Sequence, residues 1–224
     1  MNTDVEFEKL LADLPQLHTW DDGKTWNSGG LTPPLLRGIA EILAKLPEGF
    51  RVLETGAGNS TLAFLICRAQ SVLSIAPDAG LFERIKRVAK ERSIDDSALK
   101  PVVAFSEDVL PSLAKAAKST GELVDFALID GGHGWPTVFV DFCYAMEMLK
   151  SGGYLMIDDI QIYTVKQLVR LLNESKEFSL ISNLKKSLIF KKTTENTRMT
   201  DFGGQPYIRR MMEAEKLAGE AFKF

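Results

Sequence analysis

The stretch Arg51-Val-Leu-Glu-Thr-Gly-Ala-Gly-Asn-Ser-Thr-Leu62 decides how the rest of the chain is read. Val52 and Leu53 form a short apolar run that Glu54 ends with a charge. Gly56 and Gly58 release the backbone to turn tightly and to come close to a ligand. Asn59, Ser60 and Thr61 are strong N-cap types, and residues 62–66 continue as an apolar helix face. The stretch predicts a buried strand, a glycine turn and the opening of a helix, whose bare N–H groups suit a polar ligand. A pyrophosphate-binding G-x-G-x-x-G turn wants a third glycine where this chain has Thr61. Glu54 places a carboxylate near the ligand end of the strand, which suits a cationic ligand better. An ordinary strand–turn–helix with a capping cluster would satisfy the same residues.

The same alternation continues downstream. Apolar runs at 71–76, 101–105, 124–129 and 154–157 predict strands, and helical periodicity falls at 80–93, 108–118, 136–150 and 163–176. Two last runs, 178–181 and 187–191, are joined by a polar turn of hairpin length, so one of them must run antiparallel. Upstream, Thr32 caps a helix with Pro33 in its first position. The expected fold class is α/β: a doubly wound sheet, mostly parallel, with helices on both faces and ligands at the carboxyl ends of the strands. Residues 1–34 read as an N-terminal helical extension or lid, 35–192 as the ligand-binding domain, and 193–224 as a polar tail with a helix over 208–222.

Bulk properties narrow the function. A net charge of −3 argues against a general electrostatic grip on nucleic acid. No apolar run reaches membrane-spanning length, and the opening Met1-Asn-Thr-Asp-Val-Glu-Phe-Glu lacks the basic and apolar blocks of a signal peptide. A cytoplasmic location is expected. Cys67 and Cys143 both fall in apolar helical patterns and read as buried thiols. His18 has no chemical context in the sequence and reads as structural or exposed.

At this point V-L-E-T-G-A-G-N-S-T resembles the first motif of the class I S-adenosylmethionine-dependent methyltransferases. S-E-D-V-L-P-S-L at 106–113, I-D-G-G-H at 129–133 and G-G-Y-L-M-I-D-D at 152–159 follow in the family's order and spacing. The resemblance implies a Rossmann-like seven-stranded sheet with one reversed strand near the C-terminal hairpin. It implies S-adenosylmethionine as cofactor, held by Glu54, Gly56, Gly58, Ser60, Thr61 and Asp130. Ser106 or Glu107 would read the adenine, although the same residues also make a good helix start. The family usually closes its second strand with an acid for the ribose hydroxyls; this chain has Ala76 there, and Asp78, beyond Pro77, is the nearest substitute.

Asp130 and the Asp158-Asp159 pair close two further strands. Three carboxylates meeting there would repel unless a cation or buried protons relieved them. Oxygen ligands suit Mg²⁺ or Ca²⁺. The pattern resembles the metal-dependent small-molecule O-methyltransferases, which implies Mg²⁺ held by Asp130, Asp158 and Asp159; alternatively Asp158 caps the following helix. In the I-D-G-G-H loop, His133 would act as general base on an acceptor hydroxyl beside Asp130, or as a substrate contact, or as a loop-stabilising residue. The expected function is methylation of a small hydroxylated acceptor, with nucleic acid and membranes disfavoured as partners and a homo-oligomer left open. The rivals are a non-catalytic cofactor-binding protein of the same fold and an NAD-dependent oxidoreductase.

Overall fold

Burial on two faces accounts for the near-continuous apolar strands. The computed structural model describes residues 3–217. Its strands are β1 (Arg51–Thr55), β2 (Ser71–Ala76), β3 (Leu99–Val103), β4 (Val124–Ile129), β5 (Leu149–Ile157), β6 (Phe178–Asn183) and β7 (Leu188–Lys192). Its α-helices are α1 (Thr3–Ala12), α2 (Pro33–Leu43), α3 (Asn59–Ile66), α4 (Ala79–Glu91), α5 (Ser106–Thr120), α6 (Thr137–Met148), α7 (Tyr163–Asn173) and α8 (Pro206–Leu217).

The strands lie in the order β3-β2-β1-β4-β5-β7-β6. Those from β1 to β5 pair in parallel. The reversed strand is β7, antiparallel to both β5 and β6. The short connection over 184–187 explains this, because so few residues join only antiparallel neighbours. Side chains alternate between two cores. Val52, Phe126, Leu128 and Met156 feed one; Leu53, Ala127, Ile129, Leu155 and Ile157 feed the other. The first core is covered by α1 to α4, the second by α5 to α7.

The N-terminal segment belongs to the first core: Phe7, Leu10 and Leu11 of α1, with Leu17 and Leu31 of the connecting loop, pack there. In the tail, Tyr207 of α8 is buried and donates its hydroxyl to Gln167 Oε1 of α7 at 2.7 Å. The tail helix expected over 208–222 begins at Pro206, and its last residues, from 218, lie outside the described residues. Among the described residues no helix is long and apolar enough to cross a membrane.

The chain runs from β1 through β2 to β3, then crosses to β4 on the other side of β1. That reversal opens a crevice at the carboxyl ends of β1 and β4, where the strand-end acids lie.

Candidate active site

A cleft of about 1080 Å³ opens there, lined by residues 56–60, 76–78, 104–107 and 130–133 and by Asp159. Residues 18–20 and 27–31 of the N-terminal segment complete its wall. A cleft of this size suits a small-molecule ligand.

The glycine turn sets the floor. Gly56 has φ of 87°, and a Cβ there would lie 2.4 Å from the Asp130 carbonyl oxygen. Only glycine lets β1 and β4 release their ends so close together. The Gly56 amide donates to Ile75 O at 2.9 Å, and the Gly58 amide donates to Thr61 Oγ1 at 3.0 Å. Ser60 lines the cleft at the start of α3.

Glu54 departs from expectation. Its carboxylate is wholly buried behind the glycine turn and is not part of the cleft lining. It accepts hydrogen bonds from Ser60, from Thr61 at 2.7 Å and from Ser74 at 2.7 Å. Burial pushes its pKa up to about 7 even though three hydroxyl donors pull the other way. Thr61, also fully buried, stands with it. The pair shapes the wall from behind, with Ser60 between Glu54 and the cleft. Ser74 of β2, which completes this network, carries no signal in the sequence.

Beyond β2, Ala76 and Asp78 both line the cleft. The half-exposed Asp78 pairs with Arg84 at 2.7 Å. What burial it has raises its carboxyl, and the Arg84 contact more than offsets this, holding it below the usual range. Arg84 also donates Nε–H to Leu17 O at 2.8 Å and lies 4.9 Å from the Trp26 ring centroid. One arginine thus ties α4 to the N-terminal loop. His18 pairs with Asn27 through two backbone hydrogen bonds, of 3.0 and 2.9 Å, and its ring faces the cleft. Burial and the charge of Arg84 depress its pKa, so it stays neutral at pH 7. As a lone histidine in a polar stretch it gave no functional signal.

Ser106 and Glu107 open α5 and line the same cleft, and Glu107 accepts from Thr137 Oγ1 at 3.2 Å. Behind them the fully buried Asp141 of α6 stands beside Ser106 and Thr55, its carboxyl raised mainly by burial. It too was missed, since an acid inside a helix reads as a solvated face.

The acidic rim forms where β4 and β5 end side by side. The Asp158 amide donates to Ile129 O at 3.1 Å, which fixes the pair beside Asp130. Asp158 is completely buried; it accepts from Ser187 Oγ and from Lys186 Nζ at 3.0 Å. Asp159 has φ of 54° and turns the other way, meeting Lys186 Nζ at 2.9 Å and Gln161 Nε2 at 2.8 Å. Burial raises Asp159, and the Lys186 and Gln161 contacts outweigh it, leaving the carboxyl below the usual range. Asp130 moves oppositely: burial first, then Asp158 and Asp159, push it well above the usual carboxylate range. His133 Nε2 lies 3.8 Å from Asp130 Oδ1 and 3.6 Å from Asp159 Oδ2, buried and without a hydrogen-bond partner. Thr164 donates to the His133 carbonyl and pins this loop to α7.

The metal expectation meets a different arrangement. The group whose ligand atoms converge is Asp130, His133 and Asp159, without Asp158. Asp158 instead faces Lys186 and Ser187, and an ammonium already bridges the two aspartates. Asp130, Asp158 and Asp159 as arranged do not fit a three-carboxylate Mg²⁺ site. Lys186 escaped notice because Asn183-Leu-Lys-Lys-Ser187 reads as an ordinary polar hairpin turn.

Comparisons with known proteins bear on the whole arrangement. Among curated proteins none matches the sequence. An RNA-methyltransferase candidate from Pyrococcus horikoshii has a similar solved structure, with a TM-score of 0.60 at 14% identity, covering 88% of this chain and 99% of that one. An rRNA methylase from Streptococcus thermophilus gives 0.52 at 15% identity, covering 70% and 95%. MycE methyltransferase of the mycinamycin biosynthetic pathway, in complex with Mg, SAH and mycinamycin VI, gives 0.52 at 14% identity, covering 75% and 51%. Residues 53–160 match a family model described as a methyltransferase domain. That match falls on the segment that carries the glycine turn, the rim aspartates and the sheet joining them, so residues 53–160 carry the methyltransferase-domain pattern, and the solved structures share the fold.

Proposed function

We propose that this chain transfers a methyl group from S-adenosylmethionine to a hydroxyl of a small molecule. The observation that carries the reading is the position of His133. Its unpartnered Nε2 stands between two carboxylates at the rim of a cleft whose floor is the glycine turn.

The cleft suits the cofactor because the Gly56–Gly58 turn and the N-terminal end of α3 line its floor. In this reading the Gly56–Gly58 backbone and Ser60 hold one end of it, with Glu54 and Thr61 supporting them from behind. Asp78 takes the ribose side, Ser106 and Glu107 the adenine side, and Asp130 the reacting end. The sulfonium supplies an electrophilic methyl group. The chain's own work is to align an acceptor oxygen with it, exclude water and take the acceptor's proton on His133 Nε2. Asp159, held below the usual carboxylate range and the nearer of the two acids, then stabilises the imidazolium that forms.

A small acceptor is favoured over RNA by the net charge of −3 and by the way residues 18–20 and 27–31 wall the cleft. The RNA-linked names among the structural neighbours keep RNA as the reading to test against. Calorimetric titration with S-adenosylhomocysteine, with NAD as control, checks the cofactor. Methylation assays offering hydroxylated small molecules and bulk RNA then check the acceptor. Micromolar binding of S-adenosylhomocysteine, no response to NAD and transfer to a small hydroxyl compound are expected. Absence of product binding overturns the enzyme reading, and transfer to RNA alone overturns the acceptor class.

A further inference from the structure

We propose that the Lys186 ammonium is the resident cation of the acidic rim, standing where the resemblance puts Mg²⁺, so that methyl transfer here needs no divalent metal. The part concerning transfer rests on the function proposed above; the part concerning the cation does not.

An ammonium has three N–H donors, and all three of Lys186 are engaged. They go to Asp158 Oδ2 at 3.0 Å, Asp159 Oδ1 at 2.9 Å and Gly30 O at 3.1 Å. This is a built position. The Ile160 amide donates to the Lys186 carbonyl at 3.0 Å, so the lysine's backbone is locked to the segment that follows the two aspartates. The Leu184 amide closes the turn on Ser187 O at 2.9 Å, and Ser187 supplies the second donor to Asp158. On the opposite side a Cβ on Gly30 would lie 2.9 Å from Nζ, so a side chain there would crowd the ammonium.

Charge and space both exclude a second cation from the Asp158–Asp159 pair. A divalent ion bound by these oxygens would sit where Nζ sits and would repel it at contact distance. Mg²⁺ also demands near-octahedral geometry and dehydrates reluctantly, which makes displacement of an ammonium harder. The third contact does further work. Through Gly30 O the lysine ties the cleft-lining segment 27–31 to the rim, so one side chain neutralises the acids and positions the N-terminal wall. Lys186 is a positioning residue in this account.

The test is titration of the purified full chain with Mn²⁺, followed by electron paramagnetic resonance, and with Mg²⁺ by calorimetry. Wild type, Lys186→Arg and Lys186→Met are compared, each with and without S-adenosylhomocysteine. Wild type and Lys186→Arg are expected to bind neither ion below about millimolar concentration, while Lys186→Met binds Mn²⁺ at least about tenfold more tightly. Affinity of the wild type for S-adenosylhomocysteine should be the same in chelator and in Mg²⁺. Micromolar Mn²⁺ binding by the wild type, at the Asp130–His133–Asp159 group or elsewhere on the rim, overturns the proposal. So does a Lys186→Met protein with no more Mn²⁺ affinity than wild type. If Lys186→Met fails to fold, the wild-type and Lys186→Arg titrations decide alone. If S-adenosylhomocysteine binds to none of the proteins, the methyltransferase reading fails while the Mn²⁺ titrations still judge the lysine.

Discussion

Two buried acid sites stand on opposite sides of the glycine turn, and the protein handles them differently. Behind the turn, Glu54 is sealed among three hydroxyls, with no cation bonded to it among the described residues. At the rim, Asp158 is equally sealed but shares the Lys186 ammonium with Asp159. Burial outweighs the neutral donors and leaves Glu54 easy to protonate, with a pKa of about 7. The ammonium leaves Asp159 hard to protonate, and the excess proton affinity of the rim appears on Asp130. Hydroxyl donors thus enclose the acid behind the wall, whereas at the rim fixed opposite charges stand beside the His133 imidazole.

The sharpest contrast should come from His133 and Glu54. His133→Gln is expected to lower kcat by about 10²- to 10⁴-fold with little change in S-adenosylhomocysteine affinity. Glu54→Gln should instead weaken that affinity through the loop, with a smaller change in kcat. Steady-state kinetics beside calorimetry read both, and equal loss of both quantities in both variants would erase the distinction.

Lys186→Met should lower unfolding stability by about 3–5 kcal/mol, because it takes the ammonium away from the buried Asp158 carboxylate. Urea denaturation measures this. A loss as small as that of an exposed lysine would mean that the ammonium is not what holds the rim.

Glu54 carries a pH signature of its own. Its folded pKa is raised above the unfolded value of 4.5, so its contribution is fully present below about pH 4.5 and is lost as pH rises through about 7. The loss is on the order of 3 kcal/mol for that shift. Wild-type stability should therefore fall relative to Glu54→Gln between pH 5 and 8, and parallel curves would show that the carboxyl is not buried as described. Ser74→Ala removes one donor, should cost about 1 kcal/mol and should move the Glu54 transition to higher pH.

The smallest effect belongs to Asp78. Asp78 is half-exposed in its pair with Arg84, so Asp78→Asn should change stability by less than about 1 kcal/mol. If Asp78 meets the ribose, the same variant still binds S-adenosylhomocysteine several-fold more weakly.

The sequence by itself determined the alternation of strands and helices, the reversed strand at the end and the glycine turn. Each of these depends on residues close together in the chain: apolar runs of fixed period, a four-residue hairpin connection and two glycines two positions apart. It also named Asp130, Asp158 and Asp159 as neighbours, since parallel strands end on one edge. Tertiary structure alone decided what those acids face. Lys186 reaches Asp158 from 28 residues downstream, through the pairing of β5 with β7, and its third contact is 156 residues upstream at Gly30. Ser74 meets Glu54 only because β1 and β2 pair in register, and His18 enters the cleft only because Arg84 and Asn27 hold its loop there. A charge's partner depends on distances across the fold, which local periodicity does not encode. That is why the rim's acids were legible in the sequence and its cation was not.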